Sequence, residues 1–193
     1  MPPDYPSNGG TMINSMNQYQ ETLDVSLADF GQQFQAFRTD AFRLELLPSY
    51  NVQSEVEYFK SYLKFPLSAP PIEFNSDWHE ILLGAKARDA SVRRCRVIDV
   101  LTPYLEFEIN WGYKKNIELG EKIRSVPSKL VLDCAVSCGI GIIKDFWLFD
   151  GSKGYFLEYD FAGTFLGVRG MSDEASLRLS GFGKMLWSSS QQI

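Results

Sequence analysis

Apolar positions along this chain follow a helical period up to about residue 90 and a mixed, strand-rich period after it. Leu27, Phe30, Phe34 and Phe37 recur at three- and four-residue steps, which is one helix face. Ser26 opens that stretch, and Asp29 three residues later completes a capping-box arrangement. In 41–47, Phe42, Leu44 and Leu46 alternate with Arg43 and Glu45, so a strand is expected, ended by Pro48. Val56, Phe59 and Leu63 predict a helix over 52–64 that stops before Pro66. A proline-rich connector, 66–71, leads to a third predicted helix over 77–87, with Trp78, Ile81, Leu82 and Ala85 on its apolar face.

Residues 93–101 read as a strand. Thr102-Pro103 is an N-cap followed by proline at the first helical position, so 104–112 is expected to be helical. Leu105, Phe107, Ile109, Trp111 and Tyr113 also alternate as a strand would; the local cap signal favours the helix. A short strand is expected at 122–126, whereas 128–144 fits neither period. Residues 146–149 form a strand closed by the Asp150-Gly151 turn, and 155–159 and 164–169 follow as strands. The last helix starts at Ser172, carries Asp173 and Glu174 in its first turn, and buries Ala175, Leu179, Phe182 and Leu186. Residues 188–193 read as a polar tail, and 1–21, rich in Pro, Gly, Asn, Ser and Gln, as a disordered one. The pattern predicts one α/β or α+β domain over 26–188, with a helical part at 26–90 and an α/β part at 91–188. Its sheet is expected to be mixed, largely antiparallel and flanked by helices.

Composition narrows the function classes. Of 193 residues, 45% are hydrophobic and 14% aromatic, enough for a large core. A net charge of −5 disfavours non-specific nucleic-acid binding. No stretch approaches the ~20 apolar residues of a membrane span. The start lacks a basic region followed by an apolar one, so no signal peptide is expected. Three cysteines argue against a disulfide framework. A cytoplasmic protein with reduced thiols is expected.

Candidate chemistry is sparse. His79 is the only histidine, which leaves one possible imidazole base and excludes a two-histidine metal site within the chain. Its neighbour Glu80 points elsewhere on a helix. Cys95, Cys134, Cys138 and His79 lack the tight pair spacing of structural zinc, so no metal and no cofactor are expected. Asp145, Asp150, Glu158 and Asp160 could converge on Mg²⁺ or serve as turn caps. Tyr104, Phe107, Trp111 and Tyr113 could stack a ligand or fill the core. The densest charge is in 86–96, where Lys86, Arg88, Arg93, Arg94 and Arg96 stand against Asp89. These five are the expected binding residues for an acidic or phosphate-bearing partner. Strand alternation puts Arg94 and Arg96 on one face and Arg93 on the other, which also allows internal pairing with neighbouring strands. No catalytic residue is expected.

Several blocks read in order carry a resemblance: Phe42-Arg43-Leu44-Glu45; Tyr50-x-Val52-x-x-Glu55; Leu101 to Glu108; Asn116; Gly120-Glu121-x-Ile123-Arg124; and Asp145 to Asp150. They resemble an uncharacterised bacterial family of domains of unknown function, abundant in actinobacteria and often encoded beside helix-turn-helix regulators. The resemblance spans about 30–187 and implies such a regulator as a partner. A second resemblance is to half of a phospholipase D-like domain. If Asp150 matches its motif aspartate, Ile143 and Asp145 stand where histidine and lysine belong, so a scaffold without its catalytic motif is implied. The resulting expectation is a non-catalytic partner or ligand-sensing module in a bacterial regulatory or defence system. The alternatives are a phosphodiesterase- or nuclease-like enzyme using the carboxylates and arginines, and a toxin or immunity component acting by protein contact.

Overall fold

The computed structural model describes residues 22–193; the tail expected over 1–21 lies outside the described residues. Strands β1 (Thr22–Asp24), β2 (Asp40–Glu45), β3 (Ser91–Val97), β4 (Lys122–Val126), β5 (Phe146–Phe149), β6 (Lys153–Tyr159), β7 (Phe165–Met171) and β8 (Gln191–Gln192) form one sheet. Its order is β1-β7-β6-β5-β2-β3-β4-β8. β2, β3 and β4 run parallel, and every other pairing is antiparallel. With helices on both faces, the fold is α+β with a mixed, mostly antiparallel sheet, as the periodicity predicts.

The helices begin where capping residues place them. Ser26 accepts from the Asp29 N–H at the start of α1 (Leu27–Ala36), and Ser172 from the Ala175 N–H at the start of α7 (Asp173–Ser189). α2 (Val56–Lys64) follows a 3₁₀ turn, Gln53–Glu55, so the helix predicted from 52 begins four residues late. α3 (Ser76–Ala87) starts after Asn75, which holds a left-handed conformation with φ 60°. Thr102 caps α4 (Pro103–Phe107), and the chain continues through a π-helical turn, Glu108–Tyr113, into α5 (Lys114–Leu119).

This resolves the two periods seen in 104–113 in favour of the helix. Leu105, Phe107, Trp111 and Tyr113 are all buried, because the i to i+5 turn inserts an extra residue and rotates the buried face. In 128–144, α6 covers Ser128–Ser137 and the rest is irregular up to β5. The strand predicted to reach 101 ends at Val97. The polar tail ends as β8, pairing Gln191 and Gln192 with Ser125 and Arg124 at the open edge of β4. Strand pairing there uses backbone groups, so no apolar period announces it.

Alternation on the central strands sorts two layers. Phe42, Leu44, Cys95, Val97, Phe146 and Leu148 pack with Val131 and Cys134 of α6 and with Leu179, Phe182 and Leu186 of α7. On the opposite face Ala41, Val92, Trp147 and Phe149 meet Phe30 and Phe34 of α1 and Trp78, Leu82 and Ala85 of α3. Beside them Tyr50, Tyr62, Phe74, Tyr104, Phe107 and Trp111 form an aromatic cluster. Between these two apolar groups the same face carries charges. Among the described residues no helix is long and apolar enough to cross a membrane.

Candidate functional site

The parallel register of β2 and β3 sets Arg43 beside Arg94 and Glu45 beside Arg96. All four side chains face the layer of α3, α4 and the π turn, so four charges arise at the centre of the sheet. Arg94 Nη1 donates to Glu45 Oε1 at 2.7 Å and Arg94 Nε to Glu121 Oε1 at 2.8 Å. Arg96 Nη2 donates to Glu108 Oε2 at 2.7 Å. Arg43 Nη2 donates to Asp145 Oδ2 at 3.2 Å and to Tyr159 Oη at 3.1 Å. Tyr50 Oη also donates to Asp145, and Trp78 Nε1 to Glu121 Oε2 at 3.0 Å. The guanidiniums lie over rings: Arg96 over Tyr50, Arg94 over Tyr113 and Trp78, Arg43 over Trp147.

Proton affinities diverge across this network. Burial pushes the Glu45 carboxyl up, but Arg94, Arg43 and Arg96 outweigh it and hold the group at about 2. Glu108 goes the other way, to about 7: burial dominates, Arg96 opposes it, and Glu45 and Glu55 add to it. Glu55 and Asp145 are also raised, in both cases mainly by burial. One carboxyl thus stays ionised while its neighbour titrates near neutrality, a pattern that clusters at functional sites.

The network opens into a cleft of about 230 Å³ lined by Glu55, Phe74, Asn75, Trp78, Arg94, Phe107, Glu108, Gly112, Tyr113 and Asn116. Its roof is the π turn, a feature frequent at functional sites. Asn75, with positive φ, sits opposite Gly112, where a Cβ would lie 3.6 Å from Asn75 Nδ2. Asn116 is 2% exposed, and among the described residues its Oδ1 has no hydrogen-bond partner. Buried acceptors are normally satisfied, so this one is open to a donor.

The five residues expected to bind a partner are not one patch. Arg96 is fully buried and Arg94 lines the cleft. Arg93, on the other face, makes a bidentate pair with Asp40 at 2.7 and 2.6 Å and lies over Phe42 and Trp187. Arg88 donates to the carbonyls of Phe37 and Phe34. Lys86 is exposed. The forks of Arg93 and Arg94 are therefore taken up by carboxylates, the internal pairing that alternation allowed, whereas Arg96 spends one nitrogen on Glu108 and its Nε and Nη1 are buried without an acceptor among the described residues.

The other candidates disperse. Asp150 accepts from the N–H groups of Arg38, Thr39 and Asp40, Asp160 from those of Ala162 and Thr164, and Glu158 pairs with Lys144 and Arg169. Only Asp145 joins the network. Cys95 and Cys134 lie in the apolar core, where burial pushes the Cys95 thiol up to about 12. His79 Nε2 is buried and without a partner among the described residues, away from the cleft lining. Tyr104, Phe107, Trp111 and Tyr113 are buried; Phe107 and Tyr113 also wall the cleft.

Glu55, Glu108 and Asn116 stand in the blocks that carry the family resemblance, but no motif or spacing marks them as candidate chemistry. Glu108 carries a usable signal: it lies four residues after Tyr104, on the apolar stripe of a helix, where a charge is out of place.

The family model described as Domain of unknown function (DUF6879) matches residues 28–192. No curated protein matches the chain.

Proposed function

We propose that this chain, which belongs to the DUF6879 family of domains of unknown function, is a ligand-sensing module that takes a small polar ligand into the cleft beneath its π turn. The observation that carries the reading is the unpartnered Oδ1 of Asn116, buried in a cleft that also presents Glu55 and Glu108. Aromatic walls with a few converging polar groups are what small-ligand sites need. No serine, cysteine or histidine lines the cleft to act as a nucleophile or imidazole base, which favours binding over turnover. A regulatory or defence role beside a helix-turn-helix partner is part of this proposal and draws on the family resemblance. In it, ligand entry would alter the surface of α3 and the π turn that a partner reads.

A second reading has one specific support. Glu108, near 7, could pass a proton to or from a bound substrate.

The test is a thermal-shift screen of small polar metabolites against the wild type and Gly112→Leu. The first added carbon fits beside Asn75 and Phe74, and the rest of the side chain plugs the cleft. A compound that raises the melting temperature of the wild type and not of the plugged variant supports the reading. Shifts that survive the plug, or a screen with no shift at all, overturn it. Product formation from the bound compound would favour the second reading.

A further inference from the structure

We propose that the cleft takes a small organic monocation, an alkylammonium or guanidinium group, held by the carboxylates of Glu55 and Glu108 and by Asn116 Oδ1. This rests on the ligand-binding reading and names its ligand class.

The cleft and the network beneath it hold the carboxyls of Glu45, Glu55, Glu108, Glu121 and Asp145 against the guanidiniums of Arg43, Arg94 and Arg96. Each of those guanidiniums is paired within the network, Arg94 to Glu45 and Glu121, Arg96 to Glu108, Arg43 to Asp145; Arg43 Nη1 and Arg96 Nε and Nη1 are buried without an acceptor among the described residues, but neither of these two arginines lines the cleft. Glu55 and Glu108 face the cleft, and among the described residues each accepts one hydrogen bond, from Tyr104 Oη at 2.9 Å and Arg96 Nη2 at 2.7 Å. Each keeps an oxygen for a ligand. Arg94, the one guanidinium that lines the cleft, is already paired with Glu45 and Glu121, so a cation would supply the positive charge still missing, whereas an anion would meet the carboxyls of Glu55 and Glu108.

Hydrogen bonding points the same way. Asn116 Oδ1 is an acceptor without a donor. Ammonium and guanidinium groups only donate, which matches a site of three acceptors. The aromatic wall suits a cation too. Trp78, Phe74, Phe107 and Tyr113 present rings around the cleft, and ring faces attract cations. A volume of about 230 Å³ restricts the guest to a small body.

The cation should compete with a proton. The charged groups acting on Glu108 are Arg96 and Arg94 from β3, Glu45 from β2 and Glu55 from the turn before α2, with the hydroxyls of Tyr104 and Tyr113 nearby. α3 contributes Trp78, and Asn75 precedes it; neither is charged. Binding should therefore release a proton and strengthen as pH rises through the range in which Glu108 ionises.

Titration calorimetry on the full chain tests this with n-butylammonium and n-butylguanidinium, and with n-butanol and butyrate as neutral and anionic counterparts. Both cations should bind, with affinity rising on the order of tenfold from about pH 6 to about pH 8. Asn116→Leu and Glu55→Gln should each weaken binding by at least about tenfold. Glu55 is partly exposed, so its variant keeps the test valid should Asn116→Leu fail to fold. Butanol or butyrate binding as tightly as the cations overturns the cation assignment and leaves the ligand cleft standing. Cation binding indifferent to both substitutions, or no heat from either cation up to about 10 mM, also overturns it. The cleft itself is refuted only if the wider thermal-shift screen fails as well.

Discussion

Arg96 Nη2 reaches Glu108 Oε2 at 2.7 Å and ties β3 to the first residue of the π turn, with the arginine side chain fully out of water. The pair is not an ordinary stabilising bridge. Burial of Glu108 outweighs the attraction of Arg96, and the neighbouring Glu45 and Glu55 make ionisation harder still. Its carboxyl therefore sits at about 7 in the folded chain, against 4.5 ordinarily.

The sign of the pH dependence follows. The folded chain binds the Glu108 proton more tightly than the unfolded chain. The stability this lends is complete below about pH 4.5 and lost as pH rises through about 7, with a slope of at most ~1.4 kcal/mol per pH unit. Glu55 and Asp145, also raised, act in the same direction. Urea unfolding should give lower stability at about pH 8 than at about pH 5.5, and Glu108→Gln should flatten much of that difference. An identical slope in the variant would move its origin away from Glu108.

Charge reversal in β3 should be read as stability before it is read as binding. Arg94→Glu and Arg96→Glu each leave carboxylates buried without their partner, and each should cost at least about 3 kcal/mol. Arg93→Glu, facing Asp40 in a part-buried pair at the edge of solvent, should cost less. Lys86→Glu, at an exposed position, should stay within about 0.5 kcal/mol. Denaturation midpoints rank the four. Arg96→Glu as mild as Lys86→Glu would contradict the buried network.

Asp150 locks the turn between α1 and β2. Its carboxylate accepts from the Arg38, Thr39 and Asp40 N–H groups and the Thr39 hydroxyl, at φ 51°. Asp150→Ala loses those bonds and strains the left-handed position, for an expected cost of about 2–3 kcal/mol. Burial nudges the carboxyl up, but the Thr39 and Arg38 N–H groups hold it below its usual 3.8. Its contribution is thus present above that value and lost as pH falls below it, the opposite of Glu108. Hydrogen exchange at Thr39 and Asp40 should quicken in Asp150→Ala; unchanged protection there would count against the cap.

Two glycines in α7 should respond in opposite ways. A Cβ at Gly181 meets nothing, so Gly181→Ala should stabilise by about 0.5–1 kcal/mol through helix propensity. At Gly183 the Cβ would lie 3.0 Å from Phe42 Cε1, a ring buried in the core. Overpacking of that kind typically costs about 1–3 kcal/mol, so Gly183→Ala should show no net gain. Melting temperatures of the two variants decide it.

Features encoded within a few residues are legible in the chain alone. Ser26, Thr102 and Ser172 mark helix starts because a side-chain oxygen caps an N–H two or three positions away. Strands at 122–126 and 146–149 show in the local pattern, and alternation alone assigned Arg94 and Arg96 to one face and Arg93 to the other. The arginines were visible, but not what they face. Glu45 meets Arg94 and Arg96, and Asp145 meets Arg43, only because β2 lies between β3 and β5, and Asp145 is 102 residues from Arg43. Glu108 reaches Arg96 only because a π turn rotates it inward, and β8 exists only because β4 left an edge unpaired. Each of these depends on strand order, register or a backbone edge. Such contacts are set by parts of the chain far apart in sequence, so tertiary packing turned a run of basic residues into a buried network with a cleft above it.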